Sequence, residues 1–133
     1  MVELPISAAF SAIFTIALLP LTLQAGLKRL EAKIFFGDGG NLALAQRRAA
    51  QSNFLDHVPL FMVSLVLCEL LGAPLWVCAG AGSVMLLGRS IHAYCLLCTD
   101  GIGNSRAAGM LLTFAAHLVT SGYLGATSLG IIG

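Results

Sequence analysis

The stretch Leu4-Pro5-Ile6-Ser7-Ala8-Ala9-Phe10-Ser11-Ala12-Ile13-Phe14-Thr15-Ile16-Ala17-Leu18-Leu19-Pro20-Leu21-Thr22-Leu23-Gln24-Ala25-Gly26-Leu27 contains no charged side chain. A bilayer's hydrocarbon is about 30 Å thick and a helix rises about 1.5 Å per residue, so roughly 20 apolar residues cross it. This run is long enough to cross once. Glu3 stands where a secretory leader would be basic, the apolar core is too long for one, and no small-residue cleavage site follows cleanly. The run therefore reads as a retained first helix. Working outward, Val58 to Cys68 is apolar, Leu70 to Gly88 is free of charge, and Ala107 to Gly133 is interrupted only by His117. With 58% hydrophobic and 10% charged residues and a mean hydropathy of +0.92, the chain is expected to be an all-α integral membrane protein, a four-transmembrane-helix bundle. A single domain over 1–133 is expected, with helices at about 4–32, 42–71, 74–98 and 105–130.

Charge is sparse and unevenly placed. A net charge of +1 gives no pointer to nucleic acid. Lys28, Arg29, Lys33, Arg47 and Arg48 flank the first connection and Arg106 follows the third, while Gly72-Ala73-Pro74 has no basic residue. Basic loops stay on the cytoplasmic side, so the first and third loops are expected there and both termini opposite.

Turn chemistry fixes the connections. The glycines of Phe36-Gly37-Asp38-Gly39-Gly40-Asn41 accept backbone angles that other residues resist, and Asn41 is suited to cap the second helix. Gly72-Ala73-Pro74 allows only a tight hairpin, which makes helices two and three antiparallel. The third connection is read in Thr99-Asp100-Gly101-Ile102-Gly103-Asn104-Ser105, with Asn104 or Ser105 as the next N-cap. Pro20 and Pro59 are expected to bend their helices, and the small residues from Ala79 to Ser83 permit close helix approach. No second domain or internal repeat is evident.

Ionisable groups at bilayer depth cost roughly 2.5–3.5 kcal/mol each on insertion scales, so they are retained for a use. Helix two carries Asn53, Asp56 and His57 ahead of Pro59. Asn53 and His57 share a face, Asp56 lies about 60° round from Asn53, and Arg48 is about 80° from Asp56 and can border the same groove. Helix three carries Arg89 and His92, three apart and pointing the same way. An arginine at that depth needs an acid such as Asp56 or an anionic ligand. A purely structural reading of these groups is an Arg89–Asp56 ion pair, or interhelical hydrogen bonds worth about 0.6–2 kcal/mol.

Arg106 opens helix four beside a glycine-rich loop, where helix-terminal donors favour an anion or where an arginine simply anchors the interface. Lys28 and Arg29 carry the same two readings. His117, without charged company, reads as a packing residue. Cys95-x-x-Cys98 lies at the cytoplasmic end of helix three, where a redox role is not expected. No metal site is expected, because thiols and imidazoles are not grouped at ligand spacing.

Two stretches together resemble the MAPEG family, the membrane-associated proteins of eicosanoid and glutathione metabolism. Ala50-Gln51-Ser52-Asn53-x-x-Asp56-x-x-Pro59-Leu60-Phe61 is similar to the Arg-Ala-Gln/His-x-Asn-x-x-Glu-x-x-Pro segment of leukotriene-type synthases and microsomal glutathione transferases. Gly88-Arg89-x-x-His92 is similar to the helix-three motif of prostaglandin E synthase, and Gly37-Asp38-Gly39-Gly40 to the first loop of bacterial members.

The resemblance implies a homotrimer of four-helix protomers in a bacterial inner membrane, with glutathione as co-substrate in a cytoplasmic-side groove between neighbouring subunits. Asn53 and Asp56 match the family's asparagine and acid, Lys28 takes the place of an arginine at the end of helix one, and Arg89 and His92 match the helix-three pair. Arg106 resembles the arginine that faces the glutathione sulfur. Three positions depart from the pattern: Ala49 replaces an arginine, for which Arg48 substitutes only if its side chain reaches round, and Leu96 and Met110 stand where tyrosines are usual.

The implied activity is that of a glutathione transferase or peroxidase on a lipophilic electrophile drawn from membrane lipids, with Arg106, then Arg89, as the thiolate-stabilising group. Lys28, Arg48, Asn53, Asp56, Arg89 and His92 would hold the tripeptide. The alternatives are a non-catalytic lipid-binding or scaffold member of the same fold and, more remotely, a small multidrug exporter. An exporter of that kind would need a carboxylate within helix one, and Leu4 to Leu27 contains none.

Overall fold

Pro5 opens the first helix, a position where a missing N–H costs nothing because that donor has no intrahelical partner. In a computed structural model, which describes residues 3–99 and 104–132, the helices are α1 (Pro5–Ala32), α2 (Leu42–Leu70), α3 (Leu75–Cys98) and α4 (Asn104–Ser128). No strand occurs among the described residues. All four are long and apolar enough to cross a membrane, and their ends differ from the expected bounds by at most two residues. Pro20 and Pro59 both lie inside uninterrupted helices.

The expected caps divide. Asn41 caps α2, its Oδ1 accepting from the Leu44 N–H at 3.0 Å. Asn104 and Ser105 do not cap α4, because both are already helical. The cap itself lies outside the described residues, as does the 100–103 part of the third connection. Gly72, at φ +79°, makes the turn after α2, with the Ala73 N–H donating to the Cys68 carbonyl at 2.9 Å.

At the end of α1 the left-handed position is filled by Lys33, at φ 54°, rather than by glycine. The Ile34 N–H closes that turn on the Arg29 carbonyl at 3.1 Å. A side chain in this region costs about 1 kcal/mol. Lys33→Gly is therefore expected to raise the thermal midpoint slightly in detergent, and a lowered midpoint would contradict this account. Arg29 bends back to organise the loop, its Nη1 donating to the carbonyls of Phe35 at 3.1 Å and Gly37 at 3.2 Å. That contact gives Arg29 a role beside the two read from the sequence: it holds the loop.

The core follows one stripe of α2, in which Ala50, Phe54, Val58, Phe61, Leu65 and Cys68 are buried. Phe14 of α1 meets Phe54 and Phe61 edge-on, with ring centroids 6.0 and 6.4 Å apart. Outward-facing Ile16, Leu19, Leu23, Leu27 and Leu30 remain exposed along α1. Such a surface is stable against hydrocarbon and not against water.

Helices α3 and α4 approach closely at Gly88 and Gly109. A Cβ on Gly109 would lie 2.8 Å from the Gly88 carbonyl oxygen and 2.9 Å from the His92 nitrogen. At the other end, Glu69 of α2 accepts from the N–H groups of Ile6 at 3.0 Å and Ser7 at 2.8 Å, capping α1 from across the bundle.

Candidate functional site

The first half of α2 and the loop before it form an open groove of about 490 Å³, with Asp38, Arg48, Ala49, Ser52 and Asp56 among its walls. Asp38 is fixed by its own turn: the Gly40 N–H donates to its Oδ1 at 3.2 Å and the Asn41 N–H to its carbonyl at 2.9 Å. Arg47 turns back onto the Ala43 carbonyl at 3.3 Å, which leaves Arg48 as the guanidinium of the groove. Ser52 Oγ donates to Asp56 Oδ2 at 3.3 Å. Gln51, which also lines the groove, donates its Nε2 to Thr22 Oγ1 of α1 at 3.2 Å and ties this part of α2 in place.

The angular reading of α2 thus places Arg48 and Asp56 together, and Arg48 enters the groove beside Ala49, where the family pattern has its arginine. The groove also uses Asp38, which sequence reading placed in the Gly37-Asp38-Gly39-Gly40 turn without giving it a role at the site. A loop residue belongs to no helical period, so spacing could not align it with Arg48 and Asp56.

Arg89 and His92 lie elsewhere. Both are buried, 3% and 2% exposed. Arg89 Nη1 donates to the backbone carbonyl of Asn53 at 3.2 Å, and Nη2 approaches Met110 Sδ at 3.3 Å and the Gly109 carbonyl at 3.5 Å. The Arg89–Asp56 ion pair of the structural reading does not form: among the described residues the only ion pair is Lys28–Glu31, at 2.7 Å. The reason is angular. Phe54 and Val58 face the bundle, and Asp56, two residues from each, is turned about 200° away to the exposed side. Asn53 is half-buried and meets Arg89 through its main chain, not its amide.

His57 of α2 and His117 of α4 pack against each other. Their ring centroids are 5.8 Å apart, with Phe114 6.2 Å from His57 and Phe61 5.9 Å from His117. The sequence signal was His57 and Phe61 at one helical turn and Phe114 and His117 at another, but nothing in it tells which face of α4 meets α2.

Arg106 is exposed in the first turn of α4. The backbone N–H of Arg106 and the Ser105 side chain meet the buried Cys95 thiol, so the start of α4 is seated on the end of α3. Cys98 is exposed and all four cysteines are free. Lys28, held by Glu31, does not line the groove of its own chain. Of the two positions where tyrosines are usual, Leu96 is buried at 4% exposure and Met110 offers its sulfur to Arg89.

One end of the molecule therefore presents a groove with one guanidinium and two carboxylates. An exposed arginine stands at the start of α4, and a second guanidinium is buried behind α2.

A family model described as the MAPEG family matches residues 7–126. The chain is similar to the inner membrane protein YecN of Escherichia coli strain K12, 26% identical over 114 residues that cover 86% of each protein. The protein of the same name from E. coli O6:H1 is similar to the same extent.

Proposed function

The chain belongs to the MAPEG family, and on that premise we propose that it is a glutathione-dependent transferase or peroxidase acting on lipophilic electrophiles. The observation that carries this reading is the mixed-charge groove of Arg48, Asp38 and Asp56 at the loop end of α2. Glutathione carries an ammonium and two carboxylates; Asp56 is placed to accept from the first and Arg48 to bind one of the second. Asn53 would hold the peptide backbone. In a homotrimer, Lys28 at the end of α1 is offered to the groove of an adjacent copy. Arg89 and His92 support the α2 wall from behind.

Arg106 is the group for the sulfur. A free thiol titrates near 8.5 and is only a few per cent ionised at neutral pH, and a guanidinium beside it favours the anion, about tenfold for each unit by which the value falls. Arg106 is exposed and can turn to a ligand, whereas Arg89 already donates from both Nη atoms inside the bundle. Arg89 is therefore second for this role. The thiolate would attack an electrophilic carbon of a membrane-borne substrate, expelling a leaving group or adding across an activated double bond whose other carbon takes a proton, and so form a thioether. With a hydroperoxide the sulfur would take the distal oxygen as the O–O bond breaks, giving a sulfenic acid and, after protonation, an alcohol; a second glutathione would then form the disulfide and release water. The relative's name supports placement in an inner membrane. The basic residues that flank the first connection and follow the third favour a cytoplasmic setting for that end, with both termini opposite.

The test uses purified protein in detergent. Glutathione should produce a thiolate absorbance that falls about tenfold or more in Arg106→Ala. An undiminished signal in that variant transfers the role to Arg89. Absence of glutathione binding at millimolar concentration would favour a non-catalytic, lipid-binding member of the family. The observation favouring that second reading is that Leu96 and Met110 offer no hydroxyl to the site.

A further inference from the structure

Two thiols stand one helical turn apart at the end of α3 and meet opposite surroundings. Cys95 is fully buried, Cys98 is exposed, and neither is in a disulfide. The Cys95 sulfur is met by the backbone N–H of Arg106 and by the Ser105 side chain. Thr99 Oγ1, which donates to the Cys95 carbonyl, lies 3.6 Å from the same sulfur. The Arg106 N–H belongs to the first turn of α4, where N–H groups have no intrahelical partner and carry the positive end of the helix dipole. A neutral thiol is a weak acceptor with little use for such donors. They are the surroundings of a thiolate, the form of sulfur that attacks.

The spacing suits a disulfide. Residues three apart on a helix have Cα atoms about 5 Å apart, inside the roughly 4.4–6.8 Å that disulfides span. Their Cβ atoms are about 5–6 Å apart and the bond needs roughly 3.5–4.5 Å, so the last turn of α3 must tighten for it to close. That turn is placed to do so, because Cys98 is the final helical residue and Thr99 follows in extended backbone, at φ −129° and ψ −176°. The other two thiols, Cys68 and Cys78, are both buried and have no exposed partner of this kind.

We infer that Cys95 and Cys98 form an exchange site for a low-molecular-weight disulfide, with exposed Cys98 receiving the reagent and Cys95, held by the start of α4, resolving it. The Cys98 sulfur, having lost its proton, attacks one sulfur of the reagent; the S–S bond breaks and one half leaves, taking up that proton as a free thiol. The Cys95 sulfur then attacks the Cys98 sulfur of the mixed disulfide, and the second half leaves as a thiol with the proton of Cys95. Two cysteines are oxidised to one disulfide and one reagent disulfide is reduced to two thiols. Closing the bond draws the Cys95 sulfur off Ser105 and Arg106, so the start of α4 loses a tie to α3. In a reducing compartment excess thiol reverses both steps, which makes the bond transient rather than structural. The site does not rest on the transferase reading: it uses the Arg106 main chain, not its guanidinium, and no residue of the Arg48 and Asp56 groove.

The experiment treats the full chain in detergent with bis(2-hydroxyethyl) disulfide, a neutral reagent that needs no glutathione site. After an acid quench and alkylation, the mass of the tryptic peptide 90–106 is measured, which carries Cys95 and Cys98 and no other cysteine. Loss of two hydrogens is expected in the wild type, reversed by dithiothreitol. Cys95→Ser should stop at the mixed disulfide on Cys98 and accumulate about tenfold more of it than the wild type. Cys98→Ser should leave this peptide unmodified, since Cys95 alone is out of reach. Ser105→Ala, an exposed change that keeps both thiols, should slow resolution of the mixed disulfide by about threefold or more. The inference is overturned if the wild-type peptide keeps both hydrogens, or if Cys95→Ser accumulates no more adduct than the wild type. It is equally overturned if Cys98→Ser reacts on this peptide, if Ser105→Ala resolves at the wild-type rate, or if the disulfide forms on the peptide of Cys68 and Cys78 instead.

Discussion

Gly109→Val is expected to keep α3 and α4 from closing and to cost about 3 kcal/mol or more, enough to lose most of the folded protein in detergent. The atoms a side chain would meet are backbone ones, the Gly88 oxygen at 2.8 Å and the His92 nitrogen at 2.9 Å. A rotamer change cannot relieve that clash; one helix must move away from the other. Gly88→Val faces the reciprocal clash, with the Gly109 oxygen at 2.9 Å and Thr113 Oγ1 at 3.0 Å. Gly122 and Gly125 of the same helix have nothing within 4 Å of an added Cβ. Alanine at either is expected to be neutral or stabilising by up to about 1 kcal/mol, since glycine disfavours a helix. Thermal unfolding with a size-exclusion profile reads all four variants. A Gly109→Val protein that melts with the wild type would remove the crossing as the element holding α3 against α4. The consequence reaches Arg89, because the Gly109 carbonyl and the Met110 sulfur are both its partners.

Glu69→Ala should release the start of α1, at a cost of about 2–4 kcal/mol. The first N–H groups of a helix have no intrahelical partner. Here Pro5 removes one, and the Glu69 carboxylate takes those of Ile6 and Ser7. The positive end of the helix dipole adds to the attraction. At a membrane boundary, water is a poorer substitute than it is on a soluble protein, so the loss is large for a cap. Glu69→Gln should fall between, because its one amide oxygen cannot serve both donors at full charge. Hydrogen exchange at Ile6 and Ser7 reads the effect locally and the thermal midpoint reads it globally. Unchanged protection of those two amides in Glu69→Ala would reject the cap.

How far the site was legible can be followed residue by residue. Arg48 and Asp56 were placed together by angle alone, because both lie on the exposed side of one helix, where no neighbour has to be known. The pairing of Asp56 with Arg89 failed because it required the rotation of α2 about its own axis. That rotation is set by Phe54, Val58 and Phe61 packing against Phe14 and the rest of the core. Glu69 offered no pattern at all, since a lone acid at the end of an apolar run reads as an interfacial charge. His57 and His117 were each read alone and prove to be neighbours across sixty positions of chain, a contact no local period encodes.

The sequence by itself determined that the chain is four long apolar helices, where they stop, and that the first turn is closed by Asn41. These are properties of hydrocarbon thickness, charge cost and backbone preference, which act on each segment separately. Tertiary structure alone decided that Arg89 sits buried without a carboxylate, that Asp38 joins the groove, and that Glu69 caps a helix at the far end of the sequence. Those facts depend on the mutual rotation and closeness of helices. Many small contacts set these jointly, among them the Gly88–Gly109 crossing and the Phe10–Gly82 contact, and no single segment contains them.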